Sequence, residues 1–114
     1  IVGDPVKAVM VACLSPSSPA QLDKEVRAAT PGFLADPDPE NRYWNATVMA
    51  ACGKQDIAMR LVRSAIEGRY CAYAALQTDP LMASLRFAPE FAQLLAAAKE
   101  CQNNFLVERA QVSH

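Results

Sequence analysis

From Tyr43 to Ala65 the chain reads YWNATVMAACGKQDIAMRLVRSA. Tyr43, Ala46, Thr47 and Ala50 recur at helical spacing, and Trp44, Val48 and Ala51 form a second apolar line. Residues 39–52 therefore read as a helix with apolar neighbours on both sides, and Trp44 reads as core. Gly53 suits the left-handed residue that ends such a helix. Ile57, Ala58, Leu61, Val62, Ala65 and Ile66 then make a broad stripe on a second helix, 55–67, closed by Gly68. A connection of so few residues makes the two helices antiparallel neighbours.

Upstream, Asp36-Pro37-Asp38-Pro39-Glu40 reads as a stiff turn, with Asp38 as N-cap, Pro39 at the first helical position and Glu40 favoured by the helix dipole. These carboxylates have a structural explanation and are not read as general acids or metal ligands. A helix over 19–29, with Leu22, Val26 and Ala29 as its stripe and Ser18 as its cap, is expected to stop at Thr30-Pro31-Gly32. Phe33 and Leu34 are expected to fold back onto the core from the linker. The first helix spans 4–14, capped by Asp4-Pro5, with Val6, Val9, Met10, Cys13 and Leu14 on one face. Ser15-Pro16-Ser17-Ser18-Pro19 ends it.

Downstream, 69–78 is less periodic, anchored by Tyr70, Tyr73 and Leu76. Asp79-Pro80 caps a short helical turn over 81–86. A last helix runs from Pro89-Glu90 to about Arg109, with a seam of Phe91, Leu94, Leu95, Ala98, Cys101 and Phe105, and the tail beyond it is expected to fray. No segment alternates with period two, so the fold class is all-α with no sheet.

The 43–65 hairpin resembles a tetratricopeptide repeat. Ala46 stands for the small contact residue of the repeat's first helix, Gly53 for its turn, and Ala58, Val62 and Ala65 for the small-large-small triplet of its second. Tyr70 stands where the repeat's closing Pro would be, and the aromatic of the first helix is displaced. The segment Asp79-Pro80-Leu81-Met82-Ala83-Ser84-Leu85-Arg86 followed by Pro89-Glu90-Phe91-Ala92-Gln93-Leu94-Leu95 is similar to the C-terminal ends of tetratricopeptide arrays in large bacterial signalling proteins (kinases, cyclases and winged-helix regulators). There Asp or Ser usually precedes the Pro; here it is Ala88. The resemblance covers about 43–105. It implies antiparallel hairpins stacked as a short right-handed solenoid: a degenerate first hairpin at 1–36, the clearest repeat at 37–69, and a C-terminal cap at 70–114. It also implies a protein or peptide partner held in a concave groove, since such repeats turn their first helices inward. Lys7, Arg42, Asn45 and Met49 are the groove residues expected on that basis. A chain with few repeats exposes the face where the next would stack, so a second copy is the alternative partner.

Composition narrows the functions. The 114 residues fit one domain, 52% hydrophobic and 20% charged, with net charge −1. No basic excess favours nucleic acid, and no apolar run approaches the length of a membrane span. The chain begins at Ile1 without a charged region followed by an apolar one, so the expectation is a piece of a longer protein without a signal peptide. Four cysteines, Cys13, Cys52, Cys71 and Cys101, contain no C-x-x-C pair, so no zinc site is expected. His114 is the only histidine, at the chain's end. A thiol nucleophile would lack its base, and neither an enzyme nor a cofactor is expected. Cys13 and Cys52 read as small buried hydrophobes. Cys71, just past the fourth helix, and Cys101, on the last, would meet if the last helix packs back on the fourth; the alternatives are a bridge or two buried thiols. A bridge would place the chain outside the cytoplasm, in a periplasm-like compartment, and free thiols would place it inside.

Overall fold

The computed structural model describes residues 5–14 and 19–112. In chain order it contains α1 (Pro5–Leu14), α2 (Pro19–Ala35), α3 (Pro39–Ala51), α4 (Gln55–Glu67), α5 (Tyr73–Thr78), a 3-10 helix (Pro80–Phe87) and α6 (Phe91–Val112). No strand occurs among the described residues. The expected caps at Asp4 and Ser18, the stop at 15–18 and the terminal His114 lie outside them.

The α3–α4 hairpin is the centre of the molecule. Asp38 caps α3 by accepting the Glu40 N–H on Oδ1 at 2.9 Å, an interaction worth about 1 kcal/mol. At the far end the Gly53 N–H donates to the Ala50 carbonyl and the Lys54 N–H to the Met49 carbonyl. This double closure needs a left-handed residue, and Gly53 supplies it at φ +79°. Ala46, Ala58, Leu61, Val62 and Ala65 are all fully buried. Three alanines at the contact let the helix axes approach, and the larger side chains fill the remaining space.

Residue 69 repeats the closure at the end of α4: Arg69 N–H donates to Ile66 and Tyr70 N–H to Ala65. Here the left-handed residue is Arg69 itself, at φ 74°. Gly68 instead answers a steric demand, since a Cβ there would sit 2.8 Å from Pro39 Cβ and 2.6 Å from Arg42 Nη2. The last turn of α4 therefore lies directly against the first turn of α3, which makes the pair antiparallel.

Three expectations need correcting. The second helix does not stop at Pro31; α2 continues to Ala35 with Pro31 inside it. Val26, Ala29, Thr30 and Phe33 are buried on one line, and burial of Phe33 rewards carrying the helix past the proline. Pro31 and Gly32 face solvent, where water can reach the carbonyl that proline leaves without a donor. Thr30 turns inward, its hydroxyl donating to the Val26 carbonyl at 2.6 Å. The second correction concerns α1. It buries Val9 and Ala12 and exposes Met10 and Leu14. Its sequence is apolar nearly all round, so periodicity alone leaves its rotation open. The third is α3, whose second apolar line is covered only at the half-buried Val48, while Ala51 is exposed and Trp44 is 52% exposed.

The segment 69–78 contains the short helix α5, entered through Ala72 at φ 56°. Asp79 starts the 3-10 helix by accepting the Leu81 N–H at 2.9 Å. Arg86 closes it from below, donating to the Leu76 carbonyl at 3.1 Å and the Asp79 carbonyl at 2.8 Å. α6 buries Phe91, Leu94 and Ala98. Beyond the half-buried Cys101, residues 102–111 are all exposed, so the expected seam ends before Phe105. The molecule is a slab of 56 × 34 × 18 Å with a radius of gyration of 15.4 Å, against about 13 Å for a compact globule of this length.

Candidate interaction surface

The four residues expected to line a groove do not share one environment. Met49 is 0% exposed and belongs to the core, so it is withdrawn from any partner surface. Its backbone carbonyl also accepts the Lys54 N–H that closes α3. Arg42 turns toward α4, where Nη1 donates to the Ser64 hydroxyl. Its Nε is buried without a hydrogen-bond partner, and its guanidinium closes over Gly68. Arg42 thus braces the hairpin. Asn45 is half-buried, and Lys7 is exposed on α1.

Among the residues of these helices that reach solvent are several large apolar side chains. On α1, Lys7, Met10, Val11 and Leu14 follow the i, i+3, i+4, i+7 pattern and are all exposed, Leu14 to 80%. On α3, Trp44 presents one side to water while its ring meets the Tyr43 ring edge-on, with centroids 5.9 Å apart. α1 packs against both α2 and α3. Cys13, near the end of α1, is bonded to Cys52 at the end of α3, with Cα atoms 5.6 Å apart. This corrects the reading of both as buried thiols: each is half-buried and covalently paired. The even cysteine count was the signal available in the sequence. A separate bridge joins Cys71 to Cys101, with Cα atoms 5.5 Å apart.

Electrostatics here serve structure. Asp23 on α2 pairs with Lys54 in the hairpin turn, and that hydrogen bond and charge hold its carboxyl below the usual range. Burial pushes the Tyr43 hydroxyl well above its ordinary value of 10.0, and the neighbouring Asp79 carboxylate adds to the shift. Tyr43 donates to Asp79 Oδ2 at 3.2 Å, tying the central hairpin to the C-terminal segment. Tyr70 is raised by burial and then by Glu40. Among the described residues no three of His, Cys, Asp and Glu gather as a metal-binding set. No described helix is long and apolar enough to cross a membrane.

Comparison with protein-family models, with curated proteins and with solved structures finds no match in any of the three.

Proposed function

We propose that this chain is a non-catalytic protein-interaction module of the tetratricopeptide-like kind, binding a protein or peptide partner through the outer faces of α1 and α3. The observation that carries the reading is Trp44, half exposed on α3. Large exposed aromatics dominate binding energy where a partner can exclude water around them. Met10, Val11 and Leu14 are further exposed apolar side chains on α1, and Lys7 and Asn45 offer polar groups on the same two helices. Support for the repeat comes from the buried Ala46, Ala58, Val62 and Ala65, from the left-handed Gly53 turn and from the flat shape. Two disulfides favour an oxidising compartment. On this reading the module is a scaffold or sensor end of a larger signalling protein.

Trp44 is the chain's only tryptophan, so its emission reports directly on the surface. Peptides selected from a random library on the intact chain should shift that emission to the blue. Trp44→Ala should weaken them at least roughly tenfold, the scale of a hot-spot residue, with the thermal midpoint nearly unchanged. Equal binding by Trp44→Ala would remove α3 from the interface.

A second reading is self-association. Phe105, Leu106 and Val107 are exposed on the distal half of α6, beyond the last core contact. Sedimentation should then show dimer growing with concentration, and Leu106→Glu should abolish it. A monomer at all concentrations rejects this reading.

A further inference from the structure

An open cleft of about 280 Å³ lies between the end of α4 and the middle of α6, lined by Ile66, Arg69, Ala97, Glu100, Cys101, Asn104 and Glu108. One wall is the disulfide: Cys101 lines the cleft, and its partner Cys71 does not. We propose that this cleft is a thiol–disulfide exchange site, in which a small thiolate attacks Cys101 Sγ and Cys71 departs.

The thiolate's electron pair forms a new S–S bond to Cys101, the Cys101–Cys71 bond breaks, and its electron pair leaves on the Cys71 sulfur, which takes a proton from water. A second thiolate then resolves the mixed disulfide, so the bridge is reduced and two equivalents of small thiol are oxidised.

Three features of the structure converge. Cys101 lines the cleft and Cys71 does not, and on that difference the attack is assigned to Cys101. Arg69 and Ala72 on either side of Cys71 are both left-handed non-glycine residues, a conformation costing about 1 kcal/mol or more each. Arg69 is held so by the closure of α4, whereas Ala72 sits directly beside Cys71, and relief at Ala72 on loss of the bridge favours departure of Cys71. Finally, α6 past Cys101 has no buried residue among 102–111. An exposed Arg69–Glu108 ion pair ties this part of the helix to the end of α4, and such a pair is worth little alone. Exchange at Cys101 thus removes the covalent anchor at the point where the buried part of α6 ends.

Charge sets the preferred thiol. The cleft carries one cation, Arg69, against two carboxylates, Glu100 and Glu108, so it attracts a cationic thiol and repels an anionic one. The test uses the native oxidised chain at low salt with cysteamine or 2-mercaptoethanesulfonate. Rates per thiolate are normalised to the same thiols reacting with a small neutral disulfide, and the products are trapped with acid and mapped by mass. The expected product is a mixed disulfide on Cys101 with Cys71 free, formed roughly tenfold faster with cysteamine for one net charge at contact distance. Glu100→Gln should reduce that preference several-fold. First attachment at Cys71, or reaction no faster than global unfolding, would overturn the proposal. Equal normalised rates for the two thiols would overturn the charge assignment.

Discussion

The central hairpin and its two flanks are held by different means. α3 and α4 meet through alanines and fully buried Leu61, Val62 and Met49, and no bridge joins the two helices to each other. Among the described residues α1 contributes only Val9 and Ala12 to the buried core, and α6 only Phe91, Leu94 and Ala98. Each of these flanks is stapled by a disulfide whose other half sits at the end of a central helix: Cys52 caps α3, and Cys71 follows α4. Where the apolar contact is wide, close packing suffices. Where it is thin, a covalent tie restricts the unfolded chain instead.

The largest test of that contrast removes a staple. Cys13→Ala with Cys52→Ala should cost about 4 kcal/mol for a loop of 39 residues, measured by urea unfolding. Hydrogen exchange should show α1 losing protection before α3 and α4. Uniform loss across all helices would mean the hairpin also leans on the bridge. The next test attacks packing with both bridges intact. Ala58→Leu should cost about 1–3 kcal/mol by overpacking, because Ala58 has no exposed surface to give way. A neutral result would show that the α3–α4 contact is looser than its burial suggests.

The smallest test probes the bond between the regions. Tyr43→Phe removes the hydrogen bond to Asp79 and should cost about 1 kcal/mol at neutral pH. The folded state raises the Tyr43 pKa from 10.0, by burial first and Asp79 second, so the neutral phenol is favoured in the fold. Its stabilisation is complete below pH 10 and is lost as pH rises past that value. Chemical denaturation from pH 8 to 11 should show the two proteins converging at the alkaline end. A constant gap would mean that Tyr43 does not titrate with unfolding.

The same division explains what the sequence disclosed. In the hairpin the backbone signals agreed: the Asp38 cap, the Gly53 stop and alanines at contact spacing all pointed to one geometry. At Pro31 a local rule met a longer-range one, and burial of Phe33 prevailed. In α1 the chain is apolar on most sides, so only the bridge to Cys52 and contact with α2 and α3 choose the rotation. The expected groove suffered from the same limit. Spacing could place Arg42 and Met49 on α3, but only packing decides that Arg42 braces Gly68 and Met49 fills the core. Trp44 went the other way, because a large aromatic at helical spacing reads as core until the neighbouring helix fails to cover it.

The two bridges also have an order. Cys13 pairs with Cys52 and Cys71 with Cys101, so each cysteine joins the next along the chain and the two loops never interleave. Of the three pairings open to four cysteines, this is the one reached by joining thiols in the sequence in which a chain emerges during synthesis or translocation. The N-terminal loop can close before the second pair appears. Vectorial oxidation therefore yields the native connectivity without reshuffling, and a refolding chain, offered all four thiols at once, has the harder task.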